Sequence, residues 1–343
     1  MWRAAAVPEP RKVSVALATY NGAKFLAAQL ESYLVQSRLP DELVIGDDGS
    51  TDGTVALIED FARRAPFPVR LTVNSGNLGP TRNFVETMLR CQGEVIFPSD
   101  QDDVWHAGKI ERMLHFLGDR PGTWLAVHDA ALVDGKGVPL GLTMAGQIRS
   151  AGEEPRWALV AGCCMAIDAR LLELCRPVPR LGQHDAWLAG VAGGLGIRSY
   201  LDEALIDYRR HGANVSESFM SDLKPTSRLA RWRERLGRAC SEPAAPALER
   251  AVASREDLVR ALHNKSAVLL QAVPASQLSD EISRQESQLE RERARLSIHR
   301  APILARPLRL LGAARSGAYS GRGGMLSLLR DIAALPKRSP ADV

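Results

Sequence analysis

The sequence lacks the features that would direct the chain into a membrane or out of the cell. Five cysteines among 343 residues are an odd number without metal-site spacing, which fits a reducing cytoplasm better than a disulfide scaffold. The first ten residues have no apolar core, so we expect no signal peptide. The longest uncharged apolar runs, such as residues 186–197, are far shorter than the ~20 residues of a membrane-spanning helix. We therefore predict a cytoplasmic protein that does not cross a membrane.

Charge divides the chain into two parts. The apolar content of 45% and the charged content of 24% are typical of a soluble globular protein. Residues 1–216 contain 22 Lys/Arg and 26 Asp/Glu, whereas residues 217–343 contain 22 and 14. The later part has helical periodicity and should be attracted to a polyanion or an anionic surface. We predict one domain over residues 11–216 and a basic helical region over residues 217–343.

Strands and helices alternate in the first hundred residues. Apolar runs predict strands over residues 13–19, 43–46, 69–73 and 94–97, and helical periodicity lies between them over residues 24–35, 54–64 and 81–91. This alternation predicts an α/β fold with a parallel sheet and right-handed crossovers. Further along we predict a helix over 107–118, a strand over 124–133, a long loop over 135–154, a strand or buried helix start at 161–167, a helix over 182–189 and a strand pair over 197–208.

Polar residues follow each predicted strand. Asp100, Asp102 and Asp103 come directly after the fourth strand. Three neighbouring carboxylates repel one another unless a cation lies among them. Mg²⁺ and Mn²⁺ bind through one or two carboxylates plus substrate phosphates, so a diphosphate is the natural partner. An acidic surface turn is the alternative interpretation.

Four motifs occur in order: residues 18–22 (ATYNG), 47–53 (DDGSTDG), 77–83 (NLGPTRN) and 99–105 (SDQDDVW). Together they resemble the family 2 glycosyltransferases of the GT-A fold, most closely the bacterial rhamnosyltransferase-like branch, over residues 11–215. The resemblance implies a Rossmann-like, mostly parallel central sheet flanked by helices, here with an α-helical C-terminal extension. It also implies an inverting, metal-dependent hexosyltransferase. Its donor would be dTDP-L-rhamnose or else a UDP-sugar, and its acceptor a hydroxyl of a bacterial surface polysaccharide, such as O-antigen, or of a lipid-linked saccharide.

The resemblance assigns roles to particular residues. Donor binding falls to Thr19, Tyr20, Asn21, Asp48, Asn77, Gly79, Arg82, Asn83, Asp100, Gln101 and Asp102. The ring of Tyr20 can stack on a pyrimidine, and Asp48 can accept its imide N–H; core packing and turn capping are the alternatives. Arg82 and Asn83 either bind donor phosphates or cap the helix that follows.

The metal and the catalytic base are assigned in the same way. Asp102, Asp103 and His211 are the predicted ligands of Mg²⁺ or Mn²⁺, with the direct ligand among the two aspartates left open and a plain surface histidine as the alternative for His211. Asp185 matches the catalytic carboxylate, which deprotonates the acceptor hydroxyl. His184 stands where the family usually has a second acid, a difference that affects the local pKa. An N-cap aspartate without a catalytic role is the alternative for Asp185.

Two other classes of function fit parts of the sequence. A nucleotidyltransferase would carry an early Gly-rich phosphate loop with Arg or Lys, which residues 18–24 match poorly. A non-catalytic module could bind a polyanion or a membrane through the basic region, although the intact acidic cluster and Asp185 argue against a degenerate first domain. No motif indicates binding to nucleic acid, and the first domain is acidic.

The basic region contains an apolar stripe. Its members lie at helical spacing: Met325, Leu328, Leu329, Ile332 and Leu335. A cation-rich helix of this kind can lie on an anionic membrane, which would place the protein on the inner face of the cytoplasmic membrane. Alternatively, the stripe packs on the first domain or on a second subunit, giving a homo-oligomer through the C-terminal helices.

Overall fold

The computed structural model describes residues 11–175, 184–211, 244–320 and 324–335. The chain divides into two compact units, residues 1–223 and residues 224–343. The domain boundary predicted after residue 216 lies outside the described residues.

A nine-stranded sheet forms the centre of the first unit as described. The strands are β1 (Val13–Thr19), β2 (Glu42–Asp47), β3 (Val69–Val73), β4 (Val95–Ser99), β5 (Val104–Trp105), β6 (Leu125–Val133), β7 (Pro139–Thr143), β8 (Met165–Asp168) and β9 (Arg198–Arg209). Their order is β3-β2-β1-β4-β8-β6-β9-β5, and β7 pairs with β6. β1 to β4 are mutually parallel, β8 is antiparallel to its two neighbours, and β9 is parallel to β6. The predicted α/β architecture is confirmed, and the carboxyl ends of β1, β2, β4, β6 and β9 share one edge.

Helices cover the sheet and bury its central strands. The helices are α1 (Ala23–Leu34), α2 (Thr54–Arg64), α3 (Pro80–Leu89), α4 (Lys109–Gly118), α5 (Met144–Ser150), α6 (Pro155–Ala158), α7 (Ala169–Leu174) and α8 (His184–Gly194). All seven residues of β1 are buried, as expected for a strand covered on both faces. Residues 161–167, predicted as a strand or a helix start, contain a short 3-10 helix (Gly162–Cys164) that leads into β8.

Two sequence predictions in this unit are wrong. The predicted loop over residues 135–154 contains β7 and α5; the side chain of Thr143 caps α5 by accepting a hydrogen bond from the Gly146 amide at 3.0 Å, and glycines obscured this pattern. The predicted strand pair over 197–208 is the single strand β9. Its register against β6 shifts at Asp202 and Glu203, whose side chains are exposed, so a β-bulge resembled a turn in the sequence.

The second unit consists of helices in its described part. They are α9 (Ala244–Asn264), α10 (Ser266–Leu269), α11 (Ala275–His299), α12 (Arg306–Arg315) and α13 (Gly324–Ala334). Leu248 and Val252 of α9 pack with Leu289 and Leu296 of α11 in a buried cluster. Among the described residues, no helix is sufficiently long and apolar to span a bilayer.

A buried carboxylate joins three elements of this unit. Asp331 of α13 is fully buried and accepts hydrogen bonds from Arg295 at 2.7 Å, His299 at 3.0 Å and the Tyr319 hydroxyl at 2.8 Å. Burial opposes ionisation of Asp331, but the hydrogen bonds from His299 and Arg295 hold its pKa below the usual value. This network ties α13 to α11.

Candidate active site

The site lies at the edge of the sheet where the parallel strands end. Thr19 ends β1, Asp47 ends β2, Ser99 ends β4 and Arg209 ends β9. Ligands of such sheets gather at this edge because the loops that follow the strands converge there.

Gln101 belongs to the loop after β4 that contains Asp100, Asp102 and Asp103, here called the acidic loop. Its side chain joins this loop to the loop after β1. Its amide oxygen accepts from the Tyr20 amide at 2.8 Å, and its amide nitrogen donates to the Tyr20 carbonyl at 3.1 Å. A side chain at Gly22 would come within 2.2 Å of Gln101, so only glycine leaves room for this contact. Asn21 holds the turn at a φ of 46° and accepts from the Thr51 amide. This arrangement leaves the Tyr20 ring 47% exposed at the site edge.

The loop after β2 is shaped by two buried aspartates. Asp47 accepts from the Thr19 hydroxyl at 2.7 Å, so the predicted donor residue Thr19 is committed to the fold. Asp48 accepts from the amides of Leu78 and Gly79, both at 2.8 Å, and from the Asn74 side chain at 3.0 Å. A carboxylate has about four acceptor positions, so Asp48 retains about one for a ligand.

The loop from residue 74 to α3 contains the remaining predicted donor residues. Asn77 accepts from the Gly79 amide at 2.9 Å, and Gly79 has a φ of 84° that favours glycine. Asn83 is buried and donates to the Gly46 carbonyl at 2.8 Å, so any effect on a donor is indirect. Arg82 is exposed and can reach a ligand.

The acidic loop contains a buried cluster. Asp103 is fully buried; its Oδ1 accepts from the Arg209 amide at 3.2 Å, and its Oδ2 has no hydrogen-bond partner among the described residues. Burial, then the charges of Asp102 and Asp100, raise the pKa of Asp103. Burial and then the Asp102 charge raise the pKa of Asp100 to about 7. The positive charge around Asp100 and Asp103 does not offset the burial and mutual repulsion that raise the pKa values of both groups.

A buried lysine that sequence reasoning missed interacts with the charges of Asp100 and Asp103. Lys109 is fully buried, lies 3.8 Å from the Trp105 ring centroid and donates to the Cys163 carbonyl at 2.7 Å. Burial lowers its pKa to about 8. Its position six residues after Asp103, at the start of a helix, was the only signal in the sequence.

Asp102 and His211 form a pair suited to a divalent cation. The His211 Nε2 lies 2.8 Å from the Asp102 Oδ2, and both side chains are partly exposed, by 16% and 14%. Phe25, also missed in the sequence, stacks on the His211 ring at 4.7 Å between centroids. The Asp102 carboxylate suits Mn²⁺ or Mg²⁺, with the remaining positions open to phosphate oxygens. The His211 imidazole favours the transition metal Mn²⁺ over Mg²⁺.

A second group of candidate ligands fits a hard cation less well. Polar atoms of Asp100, Asp103 and Cys163 lie within 4.8 Å of one another. A hydrogen bond with Cys164, followed by burial, raises the pKa of the Cys163 thiol. A protonated thiol is a poor ligand for Mg²⁺ or Mn²⁺, which prefer oxygen. Of the predicted ligands, Asp102 and His211 are partly exposed and close together, whereas Asp103 is fully buried.

Asp185 lies in the first turn of α8, beside the same cluster. Its charge contributes to the raised pKa of Asp100, which places the two carboxylates near each other. A Cβ on Gly162 would lie 3.7 Å from the Asp185 Cβ and 3.2 Å from the His184 Nε2. His184 stacks on Phe84 at 4.7 Å, and burial lowers its pKa, which favours the neutral imidazole. The predicted helix start at residues 182–183 lies outside the described residues.

The fold and these loops define a GT-A domain whose acidic edge suits a nucleotide-sugar and a cation. Residues 14–173 match the profile described as Glycosyl transferase family 2, and this part of the chain belongs to that family.

Relatives and solved structures agree with that assignment. An uncharacterised glycosyltransferase of Nostoc sp. is 28% identical over 59% of this chain and 66% of its own length. The abequosyltransferase RfbV of Salmonella typhimurium is 34% identical over 33% of this chain and 34% of its own length. The matched part of this chain thus spans less than two thirds of either relative. The structure of Staphylococcus aureus TarS residues 1–349 with UDP-GlcNAc has a TM-score of 0.51 at 18% identity, covering 94% of this chain and 90% of TarS 1–349; it shows similarity of fold.

Proposed function

We propose that this chain transfers a sugar from a nucleotide diphosphate donor to an acceptor hydroxyl, with inversion at the anomeric carbon and with a requirement for Mg²⁺ or Mn²⁺. The observation that carries the proposal is the meeting of an exposed aromatic ring, an acidic cluster and Asp185 at one edge of the sheet. A nucleotide, a diphosphate and an acceptor each find a matching group there.

The donor is held from three sides. Tyr20 stacks on the base, and Asp48 accepts its imide N–H with the remaining acceptor position. Arg82, exposed at the start of α3, faces the diphosphate. We propose dTDP-L-rhamnose as the donor on the strength of the four motifs. UDP-sugars are the second choice, since one relative is named an N-acetylglucosaminyltransferase.

Asp185 is the proposed catalytic base. It removes the proton of the acceptor hydroxyl while that oxygen attacks the anomeric carbon from the face opposite the leaving nucleotide. Burial lowers the pKa of His184 beside it and favours a neutral imidazole, which places no positive charge next to the base. Asp102 and His211 would hold the cation, which when bound takes up negative charge developing on the diphosphate.

The proposed acceptor is a bacterial surface polysaccharide or a lipid-linked saccharide. Two relatives carry polymer-related names: a teichuronic acid biosynthesis glycosyltransferase of Bacillus subtilis, 34% identical over 110 residues, and a poly(ribitol-phosphate) β-N-acetylglucosaminyltransferase of Staphylococcus aureus, 30% identical over 131 residues. These names support a polymer-building role for this chain.

A donor screen tests the proposal. Purified protein is incubated with dTDP-L-rhamnose and a panel of UDP-sugars, and released nucleotide diphosphate is measured with Mn²⁺, with Mg²⁺ and with excess EDTA. We expect one donor to be cleaved, only when a divalent cation is present. Cleavage unchanged in EDTA would contradict the metal requirement, and no cleavage of any donor would contradict the transferase itself.

A further inference from the structure

Helix α12 of the second unit has two apolar faces, and its inner face is already packed. Ala313 is buried with Ile298 and Ala318, and Leu310 packs against them. Arg306 on the same face is buried and donates to the Ala301 carbonyl at 2.9 Å. The inner face of α12 is therefore covered by other residues of this unit.

The outer face is apolar and exposed. Leu304, Leu308 and Leu311 have exposed fractions of 93%, 74% and 54%. Their spacing of four and three residues places them on one side of the helix and the turn before it. We call these three residues the leucine face. Large apolar side chains grouped in this way indicate an interaction surface.

The surroundings of the leucine face are positively charged. From residue 293 to residue 330 the sequence has eight arginines and no aspartate or glutamate. Arg309 and Arg315, on α12 itself, are exposed, and neither forms an ion pair among the described residues. Arg300, by contrast, is paired with Glu249 at 2.9 Å. Arg309 and Arg315 thus place positive charge on the helix that carries the leucine face, and the sequence from residue 293 to residue 330 adds no acidic residue.

The apolar stripe expected on α13 is less available than the sequence suggested. Met325 and Ile332 are exposed, but Leu335 packs against the inner cluster of Ile298 and Ala313. The exposed apolar surface of this region is therefore centred on α12.

We propose that the leucine face docks on the surface of an anionic lipid bilayer. The leucines enter the boundary between headgroups and acyl chains, while Arg309 and Arg315 meet the lipid phosphates. A second copy of the chain is a poorer occupant, because a two-fold pairing of this face would bring the same arginines together without acids between them. The proposal goes beyond sugar transfer and does not depend on it.

Vesicle sedimentation of the full-length protein tests the proposal. The vesicles are phosphatidylcholine alone or phosphatidylcholine with phosphatidylglycerol, each at low and high salt. We expect wild type to pellet with the anionic vesicles at low salt, and the double substitution Leu308→Ser with Leu311→Ser to bind roughly tenfold more weakly. Leu270→Ser is the matched control, since Leu270 is a half-exposed leucine of the same unit; it should bind like wild type. Thermal unfolding of all three proteins verifies that the variants fold.

Two kinds of result would overturn the proposal. The first comes from sedimentation: wild type stays in the supernatant with anionic vesicles, or the double variant pellets as well as wild type. The second comes from light scattering: a wild-type dimer that becomes monomeric in the double variant would show that a second copy covers the leucine face.

Discussion

Asp102 and Asp103 are adjacent in sequence but should respond very differently to the same substitution. Asp102 is partly exposed and lies 2.8 Å from His211, as expected of a direct ligand. Asp103 is fully buried and accepts from the backbone of Arg209. We therefore predict that Asp102→Asn loses cation affinity and that Asp103→Asn largely keeps it.

The expected magnitudes follow from these contacts. Losing a residue that only supports a metal ligand costs about tenfold to hundredfold in affinity, so losing the ligand itself should exceed about a hundredfold, or ~2.7 kcal/mol. Without metal, Asp102→Asn keeps an oxygen that can accept from His211 and removes only the charge, so it should lower the free energy of unfolding by no more than about 1 kcal/mol. Asp103→Asn keeps the side-chain shape and an oxygen that can accept from the Arg209 amide. It removes a carboxyl group whose ionised form is disfavoured by burial. Its cation affinity should fall by less than about tenfold, the lower end of a supporting residue's range.

Mn²⁺ binding, followed by electron paramagnetic resonance in the presence of a nucleotide diphosphate, measures the difference. His211→Ala provides a second test, because two ligands of one ion give non-additive losses when both are removed. An Asp103→Asn variant that loses more affinity than Asp102→Asn would refute this assignment and identify the buried group around Asp100 as the cation site.

Three further predictions concern other parts of the chain. Gly162→Ala should push the start of α8 by a few tenths of an ångström. A sub-ångström misplacement of this kind should lower kcat several-fold, while donor affinity measured by equilibrium titration should be unchanged. Asp331→Ala should destabilise the second unit by about 3–5 kcal/mol, since it leaves Arg295 and its neighbours without their buried partner; urea unfolding followed by circular dichroism measures the loss, and a loss below about 1 kcal/mol would contradict it. Burial and the charge of Asp102 raise the pKa of Asp100 to about 7, so Asp100 becomes protonated below that pH and the negative charge near the cation falls. Mn²⁺ affinity should therefore be weaker at pH 6 than at pH 8. Calorimetric titration that shows no change between these pH values would exclude this coupling.

The central strands and the polar loops at their carboxyl ends could be predicted because their signals are local. β1 is an unbroken apolar run that the fold buries on both faces, and polar residues at each strand end must meet at one edge in a parallel sheet. The four motifs added roles to those positions. Asp185 could be assigned only through the resemblance, since an aspartate in the first turn of a helix is common.

The remainder depends on contacts between distant residues. The position of Lys109 after the acidic loop does not show that the fold buries it against Trp105 or that it donates a hydrogen bond to the Cys163 carbonyl. The need for glycine at position 162 arises only because His184 approaches it in space. Likewise, Asp202 and Glu203 at the bulge of β9 suggested a turn. The strand continues past them because it pairs with β6, which is far away in the sequence.

The central claim is an inverting transfer with Asp185 as the base, and the configuration of the released sugar tests it most directly. Even without an acceptor, slow transfer to water should release a sugar from the donor, and time-resolved NMR can observe its first anomer before mutarotation. We predict the anomer opposite to that in the donor, formed only with a divalent cation and slowed by orders of magnitude in Asp185→Asn. The donor's own anomer, or an Asp185→Asn variant as fast as wild type, would contradict the account.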